Sequence, residues 1–252
     1  MEKLKLCVRE LYNCNDKEQQ IKTLQKINQL LLTGYMLEID ESFRVYPIEV
    51  EAYYYNENFR DLCVHRNELQ ENRFGKLYFH RAGKAKETAF LYDFGGIDIC
   101  LSDKKEVFLG FLIRSAWIND EEKPVCGPGI LTRRIVRHIC KNDSIVKITE
   151  NEKVKINQIE ERNNTVVRAL NDKRKKDSIV FNSTRFGINP AKYGLYKLRS
   201  LIELKEPHHP FKEKEKVIIS YMKENHIKPV AENVKSLLGY ASKSILEKLS
   251  AV

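Results

Sequence analysis

No stretch of this 252-residue chain comes near the roughly 20 consecutive apolar residues that span a bilayer. Its first residues are charged and helical, without the apolar centre of a secretion signal. Cysteine is sparse and scattered, at Cys7, Cys14, Cys63, Cys100, Cys126 and Cys140. No two form a Cys-x-x-Cys pair, which argues against a disulfide framework and for reduced thiols. The protein is therefore expected inside the cell, cytoplasmic or nucleoid-bound, with no membrane partner. Cys63-Val64-His65 resembles half a zinc site, but no second ligand pair has suitable spacing. No metal and no cofactor is expected. There is no Gly-x-Ser-x-Gly, which disfavours a serine nucleophile. Internal repeats and low-complexity tracts are also absent.

What is present is apolar mass and positive charge. Hydrophobic residues make up 42% of the chain, ample for a sizeable core. Lys and Arg outnumber Asp and Glu by 44 to 35, giving a net charge of +9. Such a surplus favours a polyanionic partner, most commonly nucleic acid.

The chain divides into three stretches: a helical segment over 1–35, a strand-rich domain over 36–205 and a helical appendage over 206–252. Asn15-Asp16-Lys17-Glu18 reads as a cap and helix start; Ile21, Leu24, Ile27, Leu30 and Leu31 follow at helical spacing, and Gly34 ends the run. Strand patterns then take over at 75–81, 89–94, 96–102 and 107–118, and resume at 178–182 and 195–204. The run at 107–118 is the longest and most apolar, which predicts a central strand. Strands with short breaks and no alternating helices predict an α+β fold with a largely antiparallel sheet. Gly127-Pro128-Gly129 opens a basic amphipathic helix, whose free N–H groups suit an anion. Residues 162–176 end in Asp172-Lys173-Arg174-Lys175-Lys176 and read as a mobile basic loop. Three short helices are expected over 212–225, 230–238 and 241–249.

The most informative run is Ile48-Glu49-Val50-Glu51-Ala52-Tyr53. Side chains alternate along a strand, so Glu49 and Glu51 share one face. Acids beside aromatics in a basic protein suit chemistry on a flat, stackable base. The competing reading is a solvated strand face with Tyr53 packed inward.

Further motifs follow in order: His65, Gly75-Lys76-Leu77-Tyr78-Phe79-His80, Gly96-Ile97-Asp98-Ile99-Cys100, Leu112-Ile113-Arg114-Ser115-Ala116, Cys126-Gly127-Pro128-Gly129-Ile130-Leu131-Thr132 and Thr184-Arg185-Phe186-Gly187-Ile188. Their order over roughly 40–200 resembles the alkyladenine, or 3-methylpurine, DNA glycosylases. The resemblance implies a single mixed domain with a curved antiparallel sheet. It implies an enzyme that flips a damaged purine from duplex DNA and hydrolyses its N-glycosidic bond without a metal. Glu51 would activate the water. Tyr53 would stack on the flipped base, with His65, His80 and Asp98 around the same pocket. Arg114 would contact the backbone beside the flipped nucleotide, Gly127 and Gly129 would open the helix, and Arg133, Arg134 and Lys173–Lys176 would meet phosphates.

This sequence departs from the family at three places. His80 stands for a second tyrosine and Asp98 for an asparagine, replacing a potential donor with an acceptor. Residues 82–88 replace the short turn that carries the family's intercalating residue, leaving Arg81 as the nearest substitute. Two other readings remain open. Glu49, Glu51, Asp98 and His80 are candidate ligands of a metal-dependent nuclease, and the scaffold is also compatible with a non-catalytic nucleic-acid binder.

Overall fold

The computed structural model describes residues 1–90, 95–162, 165–170, 178–189, 194–208 and 210–250. The chain is an α+β fold, and its described residues form one curled, nine-stranded antiparallel sheet. Helices α1 (Glu2–Tyr12) and α2 (Lys17–Gly34) come first. The Asp16 side chain accepts from the Gln19 N–H at 2.8 Å and caps α2, which is typically worth about 1 kcal/mol. Leu24, Ile27 and Leu31 form its buried face.

Strands β1 (Tyr35–Asp40) and β2 (Phe43–Tyr55) follow, then β3 (Lys76–Phe79), β4 (Ile97–Cys100), β5 (Phe108–Ile118) and β6 (Val125–Cys126). Beyond helices α3 (Pro128–Cys140) and α4 (Glu150–Glu161) come β7 (Val167–Ala169), β8 (Phe181–Ser183) and β9 (Arg199–Leu201). The main strand order is β3-β4-β5-β2-β1-β7, with β6 on β5 and the β8–β9 pair added to β2. The apolar strand β5 is central, as its composition predicts. Of the strand expected over 89–94, Phe90 makes an isolated bridge to Arg81; residues 91–94 lie outside the described residues.

Strand β2 joins two buried clusters. Val45, Ala52 and Tyr54 pack with α1, α2 and most of the sheet. Ile48 and Val50 pack with Leu201 and the C-terminal helices α5 (Lys214–Glu224), α6 (Ala231–Leu238) and α7 (Lys243–Ser250). Full burial of each such aliphatic chain contributes about 1.5–3 kcal/mol.

Helix α4 falls in a stretch with no sequence-based assignment. Its signal was present: the Thr149 side chain and Glu152 form a reciprocal capping box. Glu160 on α4 pairs with Arg81 at 2.5 Å and accepts the Phe79 N–H at 2.8 Å. Arg81 is only 2% exposed. A side chain locked in a buried ion pair does not reach into a duplex, so Arg81 is not an intercalating residue.

Candidate functional site

The site is built where β2 and β5 lose register. Pairing runs Pro47 to Ala116, Glu49 to Ser115 and then Val50 to Ile113. Arg114 is the unmatched residue on β5. Its guanidinium reaches both acids of β2, with Nε to Glu49 Oε1 at 3.1 Å and Nη1 to Glu51 Oε2 at 3.3 Å.

Glu51 is fully buried. It accepts the Tyr53 hydroxyl at 3.0 Å and the Phe186 N–H at 2.8 Å, besides Arg114. Burial pushes its carboxyl above the usual range; Arg114 and the Phe186 N–H pull it down, and Glu49 pushes it up. Glu49 is also buried, in a polar cluster of its own. It accepts from Arg199 Nη2 at 2.6 Å and from the Ser115 hydroxyl at 2.6 Å.

Tyr53 is fixed at both ends. Its hydroxyl is held by Glu51, and the Arg185 guanidinium carbon sits 4.5 Å from its ring centroid. Arg185 in turn makes a two-pronged pair with Asp61, at 2.6 and 3.1 Å, and both side chains are fully buried. Burial drives the Tyr53 hydroxyl well above its ordinary pKa, so it stays protonated and donates.

Across the cavity stands a second cluster. His80 Nε2 lies 2.7 Å from Asp98 Oδ1, and Gln70 Nε2 donates to Asp98 Oδ2 at 3.0 Å. Because a carboxylate accepts, the His80 proton is on Nε2. His65 packs edge-on to His80, with ring centroids 4.4 Å apart, and its Nδ1 is 3.1 Å from the Tyr78 hydroxyl. The Tyr78 oxygen already accepts the Arg81 N–H at 3.1 Å.

Gly110 makes room for the Asp98–Gln70 pair. A Cβ there would lie 2.6 Å from Asp98 Oδ2 and 3.3 Å from Gln70 Nε2. Gly110→Ala is expected to cost about 1–3 kcal/mol through overpacking and to break the Gln70–Asp98 bond. Thermal unfolding reads the first effect, and the His80 ring resonances read the second.

Burial, then the nearby His80, pushes His65 down to about 4 from an ordinary 6.5. Between those values the unfolded chain binds a proton that the folded protein refuses, so stability falls as pH drops from 6.5 towards 4. The loss reaches roughly 3 kcal/mol at most. Unfolding measured across pH 4–7 is expected to show it in the parent and much less of it in His65→Phe. An NMR titration is expected to find His65 neutral at pH 5.

Tyr53, His65, His80, Asp98 and Arg114 thus line one cavity of about 270 Å³, with Cys63, Gln70, Leu112, Pro128 and Ile188. Glu51 lies directly behind Tyr53 and Arg114. Gly127 (φ 97°) donates its N–H to the Arg114 carbonyl at 2.9 Å and turns the chain into α3. Gly129 sits in the first turn of that helix. Arg133 and Arg134 follow on its exposed face, where Arg134 pairs with Glu121. They do not reach the cavity lining, and Lys173–Lys176 lie outside the described residues. Arg114, expected at a phosphate, has its charge met by two carboxylates. The sequence reading gave no role to Asp61, Gln70, Arg185 or Arg199. Only Arg185 stood in a quoted motif, because partners 124 positions apart leave no local pattern.

A larger cavity, of about 440 Å³, lies between Phe181, Leu204 and Leu237. It brings together no buried ionisable pair, so it lacks the polar focus of the smaller one. Among the described residues no group of three His, Cys, Asp or Glu is placed to hold a metal ion. No described helix is long and apolar enough to cross a membrane. No known family model matches the chain, and no curated protein matches it.

Proposed function

We propose that the chain is a DNA-repair glycosylase that extrudes a damaged base from duplex DNA and hydrolyses its N-glycosidic bond. One observation carries this reading. Tyr53 and Arg114, each bonded to the buried Glu51, face His65, His80 and Asp98 around a single cavity of about 270 Å³. That is just under the range of about 300–1,000 Å³ for drug-sized sites, which suits one base.

The chemistry follows from the partners. Tyr53 is held flat by Arg185 and offers a stacking face, worth roughly 1–3 kcal/mol per base. His65, Asp98 and His80 supply polar groups for the base edge. Water attacks the anomeric carbon as the bond to the base breaks. Glu51 takes the water proton and its charge offsets the oxocarbenium character of the sugar. A cationic alkylated purine departs neutral and needs no acid.

The test is a duplex bearing one alkylated or ethenated purine, with released base separated by chromatography and the strand checked for breaks. Free base and an intact strand with an abasic site are expected, also in EDTA. Strand scission dependent on magnesium would support the nuclease reading instead. That reading needs a metal to displace guanidinium groups from Glu49 and Glu51.

A second reading has an observation of its own. Glu51 is fully buried and already accepts from three donors, as in a non-catalytic base-binding scaffold. Duplex binding without base release would favour it.

A further inference from the structure

Residues 82–88 stand where the resembled family has a short turn. Their backbone is held from one side. Asn67 Nδ2 donates to the Gly83 and Ala85 carbonyls at 2.7 and 2.9 Å, and the Glu68 N–H donates to the Lys84 carbonyl at 2.8 Å. Three successive carbonyls of the insertion thus end on residues 67 and 68. Asn67 is fully buried, and a buried amide group needs acceptors. The insertion supplies them.

Asn67 also starts a chain of bonds that ends in the cavity. It caps the single helical turn Glu68–Gln70: its Oδ1 accepts the Leu69 N–H at 2.9 Å, and its own N–H donates to Gln70 Oε1 at 3.2 Å. With that oxygen engaged, Gln70 turns Nε2 to Asp98 Oδ2 at 3.0 Å. Asp98 Oδ1 accepts the Nε2–H of His80 at 2.7 Å. The polarity of the chain is fixed, because a carboxylate only accepts. A neutral His80 ring is therefore left with Nδ1 as an acceptor, and among the described residues nothing donates to it. The Nδ1–Cε1 edge lies beside Gly96 and Leu112. A Cβ on Gly96 would be 2.9 Å from both ring atoms and from Leu112 Cδ1. Gln70, His80, Asp98 and Leu112 line the cavity, and Asn67 does not.

We propose that Asn67 and Gln70 are positioning residues, through which the 82–88 insertion holds His80 as an acceptor for a base whose edge carries an N–H donor. The assignment rests on the base-extrusion reading and gives it a substrate class, purines with a free amino or ring N–H group. A base without that N–H leaves the held acceptor unpaired, and a site built to make the bond rejects it.

The test uses the full chain and two DNA duplexes. One carries an N7-methylated guanine, which has N–H donors, and the other an ethenated adenine, which has none. The variant Asn67→Ser keeps a capping oxygen for the Leu69 N–H but cannot span two loop carbonyls. It is expected to lower release of methylguanine roughly 10-fold, on the order of one hydrogen bond, and release of ethenated adenine by less than about two-fold. Gln70→Met cuts the next link and is expected to shift the same ratio in the same direction. Nitrogen chemical shifts of the histidine rings give a readout independent of turnover. Neutral His80 is expected to hold its proton on Nε2 in the parent protein and to become a mixture of tautomers in either variant. Equal losses on the two duplexes, or an unchanged ratio, overturn the positioning role, as does a parent His80 with its proton on Nδ1. A parent protein that releases only ethenated adenine overturns the substrate class. Release of neither base sinks the proposed function and the substrate class with it, while the ring tautomers still decide the positioning role. If Asn67→Ser unfolds early, Gln70→Met and the ring shifts carry the test.

Discussion

Glu51→Gln is expected to lower base release by roughly 100- to 10,000-fold, the usual contribution of a positioned base. Low-salt duplex binding is expected to change little. The glutamine oxygen still accepts the Phe186 N–H, and Arg114 keeps Glu49 as a partner. What is lost is the capacity to take a proton and the charge beside the sugar. The pH profile gives an independent reading. The Glu51 carboxyl sits above the ordinary range, with burial as the main cause. The acid limb of the rate is therefore expected above the ordinary carboxylate value, and turnover falls as pH drops through it. Two other outcomes have defined meanings. Normal turnover in Glu51→Gln with loss in Glu49→Gln would move the base two residues along β2. Damaged-duplex binding with no base release by the parent protein would favour the scaffold reading.

The largest expected effect on stability is at Asp61. Asp61→Asn removes the carboxylate charge that pairs with the fully buried Arg185 guanidinium. Breaking a buried pair from one side costs about 3–5 kcal/mol. For a chain of this length that lowers Tm by roughly 10 °C, readable by calorimetry. Replacing both partners, as Asp61→Leu with Arg185→Met, is expected to cost less than the sum of the single changes. A Tm within about 2 °C of the parent in Asp61→Asn would show that the pair holds little of the fold together. The same substitution loosens the guanidinium against Tyr53, so base capture is expected to weaken alongside stability.

The strand pattern and the acids of β2 were legible because alternation is local. Two-residue spacing puts Glu49, Glu51 and Tyr53 on one face, and the long apolar run of β5 marks its central place. The α2 cap at Asp16 was legible for the same reason. What stayed hidden depends on distant pairing. Nothing near Asp61 signals Arg185, and nothing near Arg81 signals Glu160, because each ion pair is set by the docking of separate elements. The departures at His80 and Asp98 were visible as isolated substitutions. Their meaning emerges only when the two side chains meet at 2.7 Å, with Gln70 completing the set.

Strand β2 has a consequence for genetics. One of its faces fills both hydrophobic clusters, and the other carries Glu49, Glu51 and Tyr53. In a saturation screen β2 will register as one block of intolerance, in which inactive and unfolded variants are mixed. Soluble, inactive alleles will be recovered instead from the opposite wall, at His65 and His80. Heritable variation in base preference has its room there, while β2 stays fixed.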